Sequence, residues 1–255
     1  MAALSNSYPS AGTLAQLREN LDHVNARIAA ASQRAGRCDA IRLIPVSKTV
    51  NEARIRLAHA AGCSEFGENK VQEAQRKSVA MADLPDLRWV MVGHLQSNKA
   101  SQLAQFASEF QALDKLSVAV LLDRHLQAAG RSMDVLVQVN TSDEASKYGL
   151  PPDEVVAFVQ QLPAFSSLRV RGLMTLALHS ADPEQVRPCF ARLRELRERL
   201  RQDAPDGVVM DELSMGMSGD FELAVQEGAT TVRVGQAIFG ARALPDSYYW
   251  PVSPT

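Results

Sequence analysis

Residues 41–49 read IRLIPVSKT, an apolar run of strand length that ends abruptly in Lys48. A run this apolar is typical of a strand buried on both faces, as in a parallel sheet. A helical pattern over 52–61 follows at once. Because functional groups in strand–helix units lie at the carboxyl ends of the strands, the sequence puts Lys48 where such groups are found.

The residue type at position 48 is informative in itself. The chain contains 21 Arg and only 6 Lys, so arginine carries the ordinary positive charge. Arginine stays protonated, whereas a lysine withdrawn from water readily loses its proton and can then form an imine. The ordinary alternative is a lysine that reaches solvent or pairs with an acid. The other strand ends decide between the two.

The same alternation of strand and helix recurs along the rest of the chain. Strands are predicted over 41–49, 63–70, 87–94, 109–113, 133–140, 168–174, 208–213 and 230–234. An extra helix, with Thr13 as N-cap, precedes them and ends near Ala35. Eight units without a linker predict a single-domain α/β fold, a (β/α)8 TIM-like barrel, whose usual length is about 250 residues. An open doubly wound sheet is the alternative, but it usually carries a glycine-rich turn after its first strand, and none follows Lys48.

The predicted barrel spans residues 13–242. Residues 1–12 are small and polar, and we expect them to be disordered. Residues 243–255 form a tail with three aromatic residues and three prolines.

Composition excludes several classes of function. A net charge of -2 and a pI near 6.2 give no electrostatic case for binding nucleic acid or an anionic membrane. The three cysteines are far apart and fit neither a disulfide framework nor a zinc site, which suggests a reducing compartment. No apolar run approaches the roughly 18 residues of a membrane span, and the N-terminus does not read as a secretory signal. We therefore expect a cytoplasmic protein, and a monomer, because no long apolar patch demands a dimer.

The last two strand ends carry the strongest local signal. Ser214–Gly219 is a loop of small residues that opens a helix, and Gly235-Gln236 is a second glycine turn at a helix start. Backbone N–H groups at such turns bind anions, and the loops after strands seven and eight are the recurrent phosphate site of barrels. Tight turns with serine caps are the alternative.

Arg233 lies within the eighth strand, with Val232 and Val234 on the opposite face. It would then point into the barrel, where a guanidinium needs an anion or another acceptor; a structural ion pair with an interior acid is the alternative. Together with Lys48 and a phosphate loop, it suggests pyridoxal 5′-phosphate, whose aldehyde forms an imine with lysine. An arginine favours an unprotonated ring nitrogen and argues against demanding carbanion chemistry such as transamination.

Six blocks of sequence resemble the pyridoxal phosphate homeostasis protein family. They are residues 46–49 (VSKT), 66–69 (FGEN), 93–99 (GHLQSNK), 172–175 (GLMT), 213–218 (LSMGMS) and 232–235 (VRVG). The resemblance runs from about residue 14 to 242. It implies a single-domain relative of the alanine racemase N-terminal barrel that holds the cofactor as a lysine imine. Such proteins are thought to buffer or deliver pyridoxal phosphate, in vitamin B6 homeostasis, with apo-enzymes as possible recipients and no established reaction.

The resemblance also implies roles for individual residues. Lys48 would form the imine and Arg233 would face the ring nitrogen. The other implied cofactor-binding residues are Asn69 and Asn140 on the cofactor face, and Ser214, Gly216, Met217, Ser218, Gly235 and Gln236 around the phosphate. Either serine could be the direct donor. In the family, small hydroxyl residues are common at the position of Gln236. A backbone N–H that donates to the phosphate there would not depend on the side chain. No catalytic residue and no metal site are implied.

A pyridoxal-phosphate-dependent amino-acid racemase is the rival hypothesis. Racemisation needs an acid–base group on each face of the substrate. In the racemases that this barrel resembles, the second group is a tyrosine from a partner subunit, and a separate β-domain completes the site. This chain ends shortly after the eighth strand, and Tyr8, Tyr148, Tyr248 and Tyr249 lie in the termini or a loop. We therefore expect a carrier with little turnover. A phosphosugar-binding barrel that uses Lys48 as an aldolase-type imine is a third possibility.

Three side chains are weaker candidates. His94 follows the third strand and is as consistent with a structural histidine as with a site residue. Lys70 and Lys99 are interpreted as solvated. The predicted helix 182–201 is rich in arginine, which favours a salt-bridged solvent face over a docking surface.

Overall fold

A computed structural model of the protein describes residues 8–142, 144, 147–178, 180 and 182–241. Eight parallel strands form one sheet in the order β1-β8-β7-β6-β5-β4-β3-β2. The strands are β1 (Arg42–Pro45), β2 (Glu65–Glu68), β3 (Arg88–Met91), β4 (Glu109–Leu113), β5 (Met133–Gln138), β6 (Leu168–Met174), β7 (Glu212–Ser214) and β8 (Thr231–Val234). An isolated bridge between Val46 and Gly67 joins β1 to β2, and Ser47 N donates to Gly67 O at 2.9 Å. The predicted (β/α)8 barrel is confirmed.

Helices cover the outside of this sheet. They are α1 (Leu14–Arg34), α2 (Glu52–Ala60), α3 (Val71–Ala80), α4 (Ala100–Phe106), α5 (Leu116–Ala128), α6 (Val155–Val159), α7 (Pro183–Asp203), α8 (Phe221–Gln226) and α9 (Gln236–Phe239), with 3-10 turns over Ser97–Lys99 and Leu162–Ala164. None of the helices in the described part of the chain has the length and apolar character needed to cross a membrane.

The extra N-terminal helix begins as the sequence predicts. Thr13 and Gln16 form a capping box that satisfies backbone donors at the start of α1. The apolar stripe of the helix is buried, and Arg27 pairs with Glu222 of α8 at 2.9 Å while its guanidinium lies 4.6 Å from the centre of the Phe221 ring. These contacts fix α1 against α8.

Most of the predicted strands are shorter in the structure, and so is the helix predicted over 152–162. The seventh strand, predicted over 208–213, is regular only over Glu212–Ser214, although Val209 N still donates to Val170 O at 3.0 Å. The helix predicted over 152–162 is Val155–Val159 followed by a 3-10 turn that contains Pro163. Proline has no N–H for the helical ladder, so the α-helix ends before it.

The barrel interior contains a charged layer at the amino ends of the strands. Arg42 pairs with Glu65 and with Glu109, both at 2.7 Å, and lies 3.9 Å from Glu212. Burial, and then the neighbouring Glu109, raise the pKa of Glu212. Above this layer, Ile44, Val90 and Val92 form a small apolar cluster separate from the main core. This apolar cluster separates the charged layer from the carboxyl ends of the strands.

The two ends of the chain fall partly outside the described residues, namely 1–7 and 242–255. The predicted tail lies there, and so does most of the N-terminal segment expected to be disordered. Residues 8–12 make specific contacts: Tyr8 Oη donates to Ser218 O at 3.0 Å, Ala241 N donates to Tyr8 O at 2.9 Å, and Ala11 is buried. The N-terminal segment thus reaches the loop after β7.

Candidate cofactor site

Lys48 lies at the carboxyl end of β1, between the ends of β2 and β8. A Cβ on Gly67 would come within 3.2 Å of the Ile44 and Val46 side chains, so these alternate residues of the strand face the interior. Lys48 continues this alternation and is 3 % exposed. Because Val46 N donates to Val234 O at 2.9 Å, the turn after β8 is a direct neighbour. The lysine is therefore withdrawn from solvent at the edge where the predicted phosphate loops begin.

Arg233 points into the barrel, as the strand alternation predicted. It is 3 % exposed, and its guanidinium donates to Ser214 Oγ at 2.6 Å and to Thr175 O at 2.7 Å. Burial lowers the pKa of Arg233 to about 10, and the charge of Asp220 acts in the opposite direction. The group therefore stays protonated at neutral pH. Its hydrogen bonds within the described chain go to a hydroxyl and a carbonyl rather than to a carboxylate.

A relay of buried polar side chains runs from Arg233 down the barrel. Ser214 Oγ donates to Gln111 Oε1 at 2.6 Å, and Gln111 Nε2 donates to Glu109 Oε1 at 2.6 Å. Glu109 in turn pairs with Arg42 in the charged layer. Since Ser214 is fully buried and engaged on both sides, its hydroxyl orients Arg233. Gln111 was not predicted as a site residue. Its alternation with the outward-facing Phe110 and Ala112 of β4 is the signal that would have placed it in the barrel interior.

The loop after β7 is shaped by a glycine. Gly216 has φ +94, and a Cβ there would lie 2.6 Å from Ala224 Cβ and 2.8 Å from Phe221 Cα. Only glycine fits this conformation and this space. Arg233 N donates to Gly216 O at 3.0 Å, which ties the loop to β8. Met217 N donates to Asp220 Oδ1 at 2.5 Å.

Ser218 joins this loop to the turn after β8. Its Oγ accepts hydrogen bonds from Gly235 N and from Ala237 N, both at 3.3 Å. Two backbone N–H groups at the start of α9 thus converge on one oxygen, with the partly buried Gln236 between them. An oxygen held by backbone donors is the arrangement that a phosphate oxygen needs.

The two predicted asparagines lie in different surroundings. Asn69 follows β2 beside Lys48, and its backbone packs so closely on Gly93 that a Cβ there would lie 2.3 Å from Asn69 O. Asn140 follows β5, across the barrel. Its Nδ2 donates to Glu144 O at 2.9 Å and its Oδ1 accepts from Ser142 N at 3.2 Å, so its amide is used within its own loop. The structure brings Asn69, but not the Asn140 amide, to the Lys48 edge.

The weaker candidates also have definite positions. The His94 ring stacks on Tyr148, with centroids 4.0 Å apart, and its Nδ1 lies 3.7 Å from Asp114. Lys70 is exposed and Lys99 is partly buried. Along α7, the predicted ion pairs form, mostly with acids outside the helix, such as Arg187 with Glu227 at 2.6 Å. No group of three or more potential metal ligands is found in the part of the chain that the structure describes.

These residues fit pyridoxal phosphate. A buried lysine can supply the amine, and a buried, permanently charged Arg233 suits a ring nitrogen that must stay unprotonated. The glycine-shaped loop and the N–H groups on Ser218 Oγ offer donors of the type that hold a phosphate.

Comparison with known proteins agrees with this architecture. Residues 19–243 match the family model for the N-terminal domain of alanine racemase, and the chain belongs to that family. The chain is also 43 % identical, over 230 residues, to the pyridoxal phosphate homeostasis protein of Pseudomonas aeruginosa, covering 90 % of this chain and 97 % of that protein. Within the barrel family, it is therefore a member of the pyridoxal phosphate homeostasis proteins, which confirms the resemblance seen in the six sequence blocks.

A solved structure from the same group shows the fold and a ligand. PipY of Synechococcus elongatus is 38 % identical and has been solved without PLP, at a TM-score of 0.80, and with PLP bound, at 0.76. Both comparisons cover 88 % of this chain and 100 % of PipY.

Proposed function

We propose that the protein binds pyridoxal phosphate through Lys48 and buffers or delivers it, without substantial turnover. The observation that carries this proposal is the meeting of three parts at one barrel edge: the buried Lys48, the buried Arg233 and the Ser218–Gly235 contact. Pyridoxal phosphate, when bound, supplies an aldehyde whose carbon forms a C=N bond to the Lys48 nitrogen with loss of water. The names of the relatives and the PLP held by PipY support the same ligand.

The residues of the chain would divide the work of binding. Arg233 would direct a permanent positive charge at the ring nitrogen. Ser218 and the N–H groups beside it would hold the phosphate, while Ser214 positions Arg233, because its hydroxyl is already engaged with Gln111.

The remaining predicted contacts surround these groups. Gly216 and Met217 shape the phosphate loop, and Gly235 and Gln236 provide backbone donors. Asn69 would line the cofactor face next to Lys48. Asn140 would line the same face, and its side-chain amide would first have to give up its hydrogen bonds to Glu144 O and Ser142 N.

The contacts of the two tyrosines among the described residues support the carrier role. Tyr8 Oη donates to Ser218 O, so that phenol is engaged at the phosphate loop. The Tyr148 ring stacks on His94 beyond the ends of β3 and β5. Neither arrangement resembles a base poised for a substrate α-proton.

A transfer experiment tests the proposal. Purified protein loaded with pyridoxal phosphate should show an absorbance band that borohydride removes, and should restore activity to an apo-enzyme that needs the cofactor. Alanine incubated with it in deuterated water should keep its α-proton. Exchange of that proton at enzyme-like rates would favour the racemase, and a protein that stays colourless with added cofactor would favour the phosphosugar barrel.

A further inference from the structure

A cluster of charged side chains is buried behind the turn that carries Lys48. Lys77 of α3 and Glu68 of β2 are both fully buried. Lys77 Nζ donates to Ser47 O at 2.8 Å, to Glu68 Oε1 at 2.7 Å and to Glu73 Oε1 at 2.7 Å. These three bonds use all three hydrogens of the ammonium group.

The cluster holds the residues on both sides of Lys48. Ser47 Oγ donates to Glu68 Oε1 at 2.6 Å, and Thr49 N donates to Glu73 Oε1 at 2.7 Å. Thr49 has φ +66 and is the only residue other than glycine with a positive φ in the described chain. A β-branched residue in this region is strained by about 1–3 kcal/mol and persists only where its surroundings impose it.

Stability alone is a poor explanation for this cluster. Replacing a buried ion pair with apolar residues of similar volume is often neutral or stabilising. Here one ammonium faces two carboxylates, and Glu68 Oε2 has no hydrogen-bond partner among the described residues. Burial raises the pKa of Glu68 to about 7. The charge of Lys77 acts to lower this pKa, and the charge of Glu73 acts to raise it. What the cluster does achieve is a fixed geometry for residues 47–49.

We propose that Lys77, held between Glu68 and Glu73, is the positioning residue for the Lys48 amine. By fixing Ser47 and the strained Thr49, it aims the Lys48 side chain at the place where an aldehyde must arrive. This inference rests on the proposed function, in which Lys48 is the residue that reacts.

The test measures Lys48 reactivity and pocket integrity separately. In Lys77→Met, we would follow three quantities: acylation of Lys48 by a small anhydride in cofactor-free protein, read by peptide mass spectrometry; the rate of covalent capture of pyridoxal phosphate; and the affinity for pyridoxine 5′-phosphate, which lacks the aldehyde. Misplacement of a reacting group by about 1 Å costs up to about a hundredfold, so we expect both reactivities to fall about tenfold to a hundredfold. Affinity for the aldehyde-free analogue should stay within about threefold, because the phosphate loop is untouched.

Two further variants protect the interpretation. Arg76→Met is the matched control, since Arg76 is the preceding residue of α3 but pairs with Glu52 at the surface, and it should change none of the three quantities. Should Lys77→Met fail to fold, Glu73→Ala removes the bond to Thr49 N while the Lys77–Glu68 pair remains. We expect Glu73→Ala to slow acylation and capture with little loss of thermal stability.

Each outcome bears on the proposal. A parallel loss of analogue affinity and reactivity would reduce Lys77 to a structural residue and overturn the inference, and so would unchanged reactivity. Failure of the proposed function is distinct: wild-type protein would then capture no pyridoxal phosphate on Lys48. The acylation rate of the cofactor-free protein would still decide whether Lys77 positions the amine.

Discussion

Replacing Arg233 with glutamine should weaken pyridoxal phosphate binding and leave the barrel folded. The guanidinium gives two hydrogen bonds, at 2.6 and 2.7 Å, and bonds from a charged donor are worth about 1.5–3 kcal/mol each. Burial of the charge opposes this gain. It lowers the pKa of Arg233 from 12.5 to about 10, and a shift of this size corresponds to a cost of about 3 kcal/mol for the charged form. The two effects largely cancel, so the free energy of unfolding should fall by at most about 3 kcal/mol, less than the usual stability of a domain.

Binding should suffer more clearly than folding. A charged hydrogen bond to the ring nitrogen is worth about 1.5–3 kcal/mol, so the Kd for pyridoxal phosphate should rise about tenfold to a hundredfold. The assay is a fluorescence titration at fixed pH, with thermal melting of the same samples.

The matched control is Arg131→Gln. Arg131 also donates to backbone carbonyls, including Ala107 O at 2.8 Å, and burial also lowers its pKa. It lies between α5 and β5, and its side chain reaches the carboxyl end of α4, away from the carboxyl ends of the strands. The control should change the melting temperature and not the Kd. If Arg233→Gln binds like the wild type, or if both variants lose affinity alike, Arg233 does not face the cofactor.

Three other substitutions probe the rest of the site. Gly216→Ala should lose about 2–4 kcal/mol of stability in chemical denaturation, because φ +94 is combined with a Cβ that would lie only 2.6 Å from Ala224 Cβ. Gly62→Ala, at φ +107 with nothing within 4 Å of the added Cβ, should lose only the part due to backbone strain, and equal losses in the two variants would contradict the steric clash at Gly216. Gln111→Leu should cost about 2–4 kcal/mol, since Ser214 Oγ and Glu109 Oε1 lose their partner, and should also weaken pyridoxal phosphate binding through Arg233; unchanged affinity would mean that the relay does not orient the guanidinium. Burial raises the pKa of Glu68 to about 7, so the folded state holds the Glu68 proton more tightly than the unfolded state does. The contribution of this proton to stability is therefore present at low pH and is lost as pH rises from about 4.5 to 7. We would measure the unfolding free energy of the wild type minus that of Glu68→Gln, and this difference should fall as pH rises across that window. A difference that stays constant or rises would show that Glu68 is ionised in the folded state throughout the window.

Much of the fold could be predicted because its signals are local. The alternation of apolar strands and amphipathic helices predicted eight units, and the bounds of β4 and β6 agree with the prediction. Strand alternation also predicted that Arg233 faces the barrel interior, which its contacts confirm. Position at the end of β1 put Lys48 at the barrel edge, where it is buried.

Partners distant in the sequence could not be predicted. The Ser214 hydroxyl is engaged by Gln111, which is 103 positions away in the sequence and becomes its neighbour only when the barrel closes. Lys77 was missed because a lysine on a polar helix is usually solvated. A signal was present, since it follows Val71 and Ala74 at helical spacing on the buried stripe of α3.

The central claim is a covalent bond between Lys48 and pyridoxal phosphate, and peptide mass spectrometry of the borohydride-reduced complex tests it most directly. We expect a pyridoxyl adduct on the peptide that contains Lys48. It should disappear in Lys48→Ala and persist in Lys70→Ala, which removes an exposed lysine at the start of α3. An adduct on Lys77 or any other lysine, or no adduct at all, would contradict the claim.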